Sequence, residues 1–199
     1  RIARFVMVEK GLSWDHVEVD PFAELPPSYL VLNPFGRVPT LIHDGFVLYE
    51  TGAIIRYLDE VFDGPALQPS EARARARMNQ IIAVSDSYAY WPLVRQVYAQ
   101  RIFRPATGEP SDAVEIDKGL RAAKPVLAAV GSLVSEDSWL CGNRLSLADL
   151  HFGAMVGCFT AAPEGKELLQ KHARLDSWWK RLCERPCMVA TDPGLPSAT

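Results

Sequence analysis

Apolar residues recur along this chain with two different periods, and the period changes near residue 64. In the opening RIARFVMVEKG, Ile2, Phe5, Val6 and Met7 share one helical face, and Gly11 supplies the left-handed residue that ends a helix. WDHVEVD then alternates, with Asp15, Val17 and Val19 on one side and Trp14, His16 and Glu18 on the other, so a strand is predicted from Trp14 to Val19, stopping at Asp20-Pro21. A short helix, Pro27 to Leu32, precedes Asn33-Pro34. VPTLIHDGFVLYE predicts two strands joined at His43-Asp44-Gly45, because Asp-Gly is the strongest short hairpin signal. A helix from Thr51 follows, burying Ile54, Ile55, Tyr57 and Leu58 and stopping at Phe62-Asp63-Gly64-Pro65.

From Pro69 the period is helical throughout. One long helix is predicted from Ser70 to Phe103, with Ser70 as its N-cap and Pro92 as a kink rather than an end. A second runs from an N-cap at Ser111 to Val134. Ser146 and Asp149 have capping-box spacing at the head of LSLADLHFGAMVGCF, and RLDSWWKRLCERP gives a last helix that stops near Pro186. Residues 64–69 read as a linker between a mixed domain, 1–63, and an all-helical domain, 70–199. The order helix, strand, helix, hairpin, helix leaves the first helix without the strand that a crossover helix normally follows. With Arg1 already inside a helical pattern, a first strand and its turn, roughly ten residues, are expected upstream of it.

Composition narrows the function classes. At 199 residues the chain can bury a substantial core, and 48% apolar residues with a net charge of -3 give no excess of positive charge for nucleic acid or anionic lipid. No apolar run reaches the ~20 residues a membrane span needs, and no secretory leader pattern opens the chain, so a cytoplasmic protein is expected. Cys141, Cys158, Cys183 and Cys187 lack C-x-x-C or zinc-ligand spacing and read as reduced, mostly buried thiols, and no metal site is expected. The four histidines are scattered and read as structural.

The candidate chemistry lies around the hairpin. Glu50-Thr51 stands where a helix begins, so the Thr51 hydroxyl and the first free amides would face an anion while Glu50 accepts from an ammonium group. Together they match the two ends of an α-amino acid; the plain alternative is a capping Thr with an acid complementing the dipole. Val38-Pro39 allows two readings: a cis bond that turns the Val38 amide and carbonyl toward an extended ligand, or an ordinary trans proline at a sheet edge, which local sequence alone favours. Arg37 adds a fork of donors suited to a carboxylate. Arg73 and Arg77 read as a solvated or dimer-facing edge.

NPFGRVPTLIHDGFVLYETGAIIRYLDE, Asn33 to Glu60, resembles the glutathione-binding half of cytosolic glutathione transferases, with Asn33-Pro34, Gly36, Val38-Pro39, Asp44-Gly45, Leu48, Glu50, Ala53-Ile54 and Tyr57-Leu58 in the family's places. EKGL, LCGNRLSLADL and LDSWWKRLCERP look like its other landmarks, so the resemblance spans nearly the whole chain; NPFG and RQVYAQRIFRPATGEPSD suggest the bacterial and phi-like branches.

The resemblance implies a thioredoxin-like domain joined to an all-helical one, with the missing first strand central in its sheet. It implies a cis Pro39, Val38 paired with the cysteinyl backbone of glutathione, Glu50 and Thr51 at the γ-glutamyl end, and Arg37 near the tripeptide. Thr51 replaces the usual Ser, and no His-Lys pair for the glycine carboxylate stands between Pro21 and Asn33. The thiol-activating Ser, Tyr or Cys would lie upstream of Arg1, so no residue here takes that role. A thiol of pKa ~8.5 is about 3% ionised at pH 7, and lowering it by ~2 units raises the thiolate more than twentyfold. The electrophile site would be lined by Tyr88, Trp91 and Tyr98 of the long helix, core packing being the alternative for each. The implied activity is conjugation of glutathione, the co-substrate, to a small hydrophobic electrophile, in a homodimer; thiol reduction, dehalogenation or isomerisation on the same scaffold, or a non-catalytic assembly module, are the alternatives.

Overall fold

The computed structural model describes residues 1–134, 139–192 and 194; the last residues of the predicted helical domain, 195–199, lie outside the described residues. Helix α1 (Ile2–Glu9) buries Ala3, Phe5, Val6 and Met7 and ends before Gly11, whose φ of +67° is the left-handed stop. Helix α2 spans Pro27–Leu32. Strands β1 (Thr40–His43) and β2 (Phe46–Tyr49) pair antiparallel with Thr40 opposite Tyr49 and His43 opposite Phe46. The two turn residues, Asp44 and Gly45, both have positive φ, as a two-residue hairpin turn requires. Helix α3 (Thr51–Val61) follows at once.

The predicted strand Trp14 to Val19 does not form: residues 13–20 carry no ladder. A strand exists only by pairing, and β1 and β2, the strands among the described residues, pair with each other. Tyr57, predicted as core, is half-buried, because its hydroxyl reaches His43 Nδ1 at 2.8 Å on the outer side of α3.

Helix α4 (Ala72–Val84) passes without a break into a π-type helix, Ser85–Phe103, and a last turn, α5 (Arg104–Ala106). Pro92 sits inside the wide-turned stretch, where a missing N–H and a bulky ring suit looser winding. Of the three predicted serine caps, Ser146 stands with its capping box at Asp149, and the other two are displaced by one residue. Glu71 rather than Ser70 accepts from Arg73 N–H at 2.9 Å and Ala74 N–H at 2.7 Å, and Asp112 rather than Ser111 caps α6 (Ala113–Leu133). Glu71 uses both carboxylate oxygens, whereas Asp112 Oδ1 alone accepts from Val114 and Glu115 N–H at 2.9 and 3.2 Å; in both, a negative charge at the positive end of the helix outdoes a neutral hydroxyl.

Helix α7 (Leu147–Ala161) runs through the core, buried on every side from Leu147 to Val156. Around it lie α4, the π-type helix, α8 (Pro163–Gln170), α9 (Ala173–Cys183) and α1. A short final helix, α10 (Pro186–Ala190), which the sequence pattern did not predict, packs on α1, and Arg185 at its head pairs with the buried carboxylate of Glu9. No helix among the described residues is long and apolar enough to cross a membrane.

Candidate functional site

The direction of two helices places the site. Lys10, at the end of α1, is buried and donates from Nζ to Asp59 Oδ1 and Asp59 O, each at 3.2 Å, and to Pro65 O at 3.4 Å. Asp59 lies near the end of α3 and also accepts from the N–H groups of Leu67 (2.9 Å) and Gln68 (3.0 Å). With their C-terminal ends tied together and their sides packed, α1 and α3 run the same way. Their N-terminal ends therefore open on one side, and both carry unbonded amides and the positive pole of the helix dipole.

Glu50 is the N-cap of α3, held at φ 71° and ψ 116°. For a residue with a Cβ this conformation costs roughly 1–3 kcal/mol, the kind of strain found at ligand sites. It bends the chain out of β2 into the helix, and the Glu50 carbonyl accepts the N–H groups of Ala53 and Ile54, each at 3.0 Å. The N–H groups of Thr51 and Gly52 have no acceptor among the described residues, and neither the exposed Glu50 carboxylate nor the Thr51 hydroxyl has a partner there. One acceptor-only group thus stands beside a set of free donors, an arrangement suited to a zwitterion.

Across the hairpin the Val38-Pro39 bond is cis, and Val38 is 46% exposed with no backbone hydrogen bond among the described residues. The Arg37 side chain is exposed beside it. Gly36, at φ +59°, makes the turn into this segment, and a Cβ there would come within 2.9 Å of Leu25. The turn and the helix start are adjacent because β1 and β2 are: Thr40 is opposite Tyr49, two residues from Val38 on one strand and one from Glu50 on the other.

The three aromatic residues of the long helix occupy different settings. Tyr88 and Trp91 are 65% and 60% exposed, whereas Tyr98 is buried with its hydroxyl unpartnered among the described residues, and burial, then the neighbouring Cys158, pushes its pKa up to about 12. An aromatic contact that periodicity missed joins exposed Phe22, in the loop before α2, to Phe103, with ring centroids 6.1 Å apart. Buried His151 reaches the Asp86 carboxylate from Nε2 at 2.6 Å, linking α7 to the π-type helix.

The thiols are less uniform than the composition suggested. Cys187 is buried, Cys141 and Cys158 are half-buried and Cys183 is exposed, all free. Burial is the leading cause that raises each pKa, to about 11 for Cys141 and about 12 for Cys187. None is poised as a nucleophile.

Comparison with known proteins bears on the family and the fold. Residues 1–66 match the family described as Glutathione S-transferase, N-terminal domain, and residues 90–186 match Glutathione S-transferase, C-terminal domain. The chain is 31% identical over 196 residues to glutathione S-transferase F14 of Arabidopsis thaliana, covering 95% of this chain and 77% of that protein. It superposes on the apo structure of glutathione S-transferase III with a TM-score of 0.85 at 28% identity, over 99% of this chain and 93% of the other. On maize glutathione S-transferase I, in complex with an atrazine glutathione conjugate, the TM-score is 0.81 at 26% identity, over 95% and 89% of the two chains.

Proposed function

This chain belongs to the glutathione S-transferase family, and on that premise we propose that it conjugates the thiolate of glutathione, bound as co-substrate, to small hydrophobic electrophiles. The observation that carries the reading is the pair Glu50-Thr51: an acid held at positive φ without a partner, beside unbonded amides at a helix start. The γ-glutamyl ammonium group binds Glu50, and its carboxylate takes the Thr51 hydroxyl and the free N–H groups of Thr51 and Gly52. Val38 pairs through its backbone with the cysteinyl residue as an added strand would, and Arg37 reaches a carboxylate of the tripeptide.

Bound in this way, the cysteinyl sulfur faces the side on which α1 and α3 begin. The positive ends of the two dipoles favour the thiolate over the thiol, so the helices supply part of the ionisation the reaction needs. The sulfur lone pair then forms the S–C bond while the electrophile's leaving group departs with its own pair, or its π electrons move to the adjacent acceptor atom. Tyr88 and Trp91, exposed on the long helix, contribute the wall on the helical side, while Tyr98 packs in the core, and the conjugate held by the maize relative supports an aromatic electrophile. Since the four thiols are all disfavoured as thiolates, thiol reduction through a protein cysteine gains no support from these residues.

The finer assignments follow the same premise: the bacterial and phi-like branch of the family, two domains at 1–63 and 70–199 joined by 64–69, a cytoplasmic place in detoxification, and a homodimer. The dimer buries α3 and the long helix against their mates, and sedimentation at micromolar concentration tests it, a monomer being the contrary result.

The reading is tested by titrating glutathione calorimetrically into the protein and into Glu50→Ala. Binding between micromolar and millimolar, weakened about tenfold or roughly 1.4 kcal/mol by the substitution, is expected. Absence of heat together with an unchanged thermal transition at millimolar glutathione would overturn it.

A further inference from the structure

We propose that Tyr29 is a positioning residue for glutathione, fixing the direction in which Val38 offers its backbone N–H. The inference rests on the reading above that Val38 pairs with the cysteinyl backbone. Tyr29 and Asn33 stand one turn apart, at the start and the C-cap of α2, and both are buried. The Tyr29 Oη lies 2.6 Å from the Arg37 carbonyl oxygen and 3.0 Å from Thr40 Oγ1. Asn33 Nδ2 lies 2.8 Å from the same carbonyl and 3.4 Å from the same hydroxyl, while its Oδ1 accepts the Phe35 N–H at 3.1 Å.

Counting protons leaves one arrangement. A carbonyl oxygen only accepts, so the single phenolic proton of Tyr29 goes to Arg37 and Thr40 must donate its own to Tyr29. The Phe35 contact fixes which end of the Asn33 amide is NH2, and its two protons go to Arg37 and Thr40. The Arg37 carbonyl is thereby held by two donors from two directions, so its peptide plane cannot turn about the chain axis without breaking one of them.

In a trans peptide the C=O and the following N–H point opposite ways. The Arg37–Val38 bond is trans, the cis bond being the next one. With the Arg37 carbonyl drawn in toward α2, the N–H of Val38 points away from it, without an acceptor among the described residues and on a residue that is 46% exposed. A neutral, partly buried network thus aims a backbone donor at solvent and at whatever lies there. The amide contributes direction as well as contact, and Tyr29 acts on glutathione through Val38 without touching it.

Tyr29→Phe keeps the ring and removes the hydroxyl, and Thr40→Val removes the group that receives from Asn33 and donates to Tyr29. The ligands are glutathione and S-methylglutathione, the latter indifferent to thiol ionisation. For each variant, weakening of both ligands by roughly five- to tenfold is expected. KM for glutathione rises, while kcat at saturating glutathione and KM for the electrophile stay within twofold. The double variant binds no more weakly than the worse single variant, because the two hydroxyls act as one chain. The Val38 amide resonance shifts on adding S-methylglutathione to the unsubstituted protein and shifts less in Tyr29→Phe. Unchanged binding by Tyr29→Phe, with or without a lowered melting temperature, overturns the inference, as does a fall in kcat with KM unaltered. If the unsubstituted protein itself fails to bind S-methylglutathione, the assignment of Val38 falls and this one with it, a result distinct from equal binding by protein and variant.

Discussion

Asp149 Oδ1 accepts the indole N–H of Trp178 at 2.8 Å, joining the first turn of α7 to the middle of α9. The same oxygen accepts Leu140 N–H at 2.8 Å, and Oδ2 accepts the N–H and hydroxyl of Ser146 at 2.8 and 2.6 Å, so one buried carboxylate organises three segments. Asp149→Ala strands several buried donors and is expected to cost roughly 3–5 kcal/mol in urea unfolding. Asp149→Asn is no rescue, since its NH2 would face either the Ser146 N–H or the Trp178 and Leu140 N–H groups. Stability within 1 kcal/mol of the parent protein for either variant would contradict this account.

Lys10 and Asp59 form an ion pair with side chains 1% and 4% exposed. Lys10→Met leaves the Asp59 carboxylate buried with only backbone donors and is expected to cost about 3–5 kcal/mol. In Lys10→Met with Asp59→Leu the loss is smaller than the sum of the two single losses, which a double-mutant cycle from denaturant melts measures.

Glu71 gives the pH dependence a sign. Its two oxygens accept from Arg73 and Ala74 N–H, and these bonds, Arg73 first, hold its pKa below the ordinary value. A carboxylate depressed in the folded state contributes stability above its unfolded pKa and loses it as pH falls through the folded value. Glu71→Ala is therefore less stable than the parent at pH 7, and the gap closes as pH drops below the usual glutamate range. A gap independent of pH in parallel melts would refute the capping role.

Thr51→Ser keeps the hydroxyl and is expected to leave glutathione affinity within twofold of the parent. Thr51→Val removes one donor to the γ-glutamyl carboxylate and weakens binding by roughly fivefold, since a hydrogen bond contributes about 1 kcal/mol. Calorimetry on the two variants separates the hydroxyl from the helix start, which both retain.

Alkylation should follow burial. Iodoacetamide at pH 7.5 is expected to modify exposed Cys183 first and to spare Cys187 and Cys141, whose thiols burial pushes up to about 12 and about 11. Peptide mass spectrometry before and after unfolding in guanidinium reads the order, and rapid labelling of Cys187 in the native protein would contradict the packing of α10 on α1.

Local chemistry made the hairpin, α2 and the start of α3 legible, since Asp44-Gly45, Pro27 and the Glu50-Thr51 step each act within a few residues. The strand at Trp14 to Val19 was not, because alternation states what a segment could bury and pairing depends on a neighbour. Caps slipped by one residue where a carboxylate stood beside the expected serine. Glu50, Thr51 and Val38 could be named from spacing, but the strain at Glu50 and the direction of the Val38 amide arise only after folding brings Arg37 to Tyr29 and Asn33. Lys10 and Asp59, 49 residues apart, left no periodic trace.

The ion pair at Lys10 and Asp59 lies at the opposite end of α3 from Thr51, and this gives the fold a lever arm. The eight helical steps from Thr51 to Asp59 span about 12 Å, so each degree of angular play at the fastened end carries Thr51 through about 0.2 Å. Binding groups need placement within roughly 0.5 Å, which allows the far joint less than about three degrees of slack. A carboxylate gripped at once by an ammonium group and two backbone amides has little freedom to rock, and its stiffness is delivered as registration at the end it never touches.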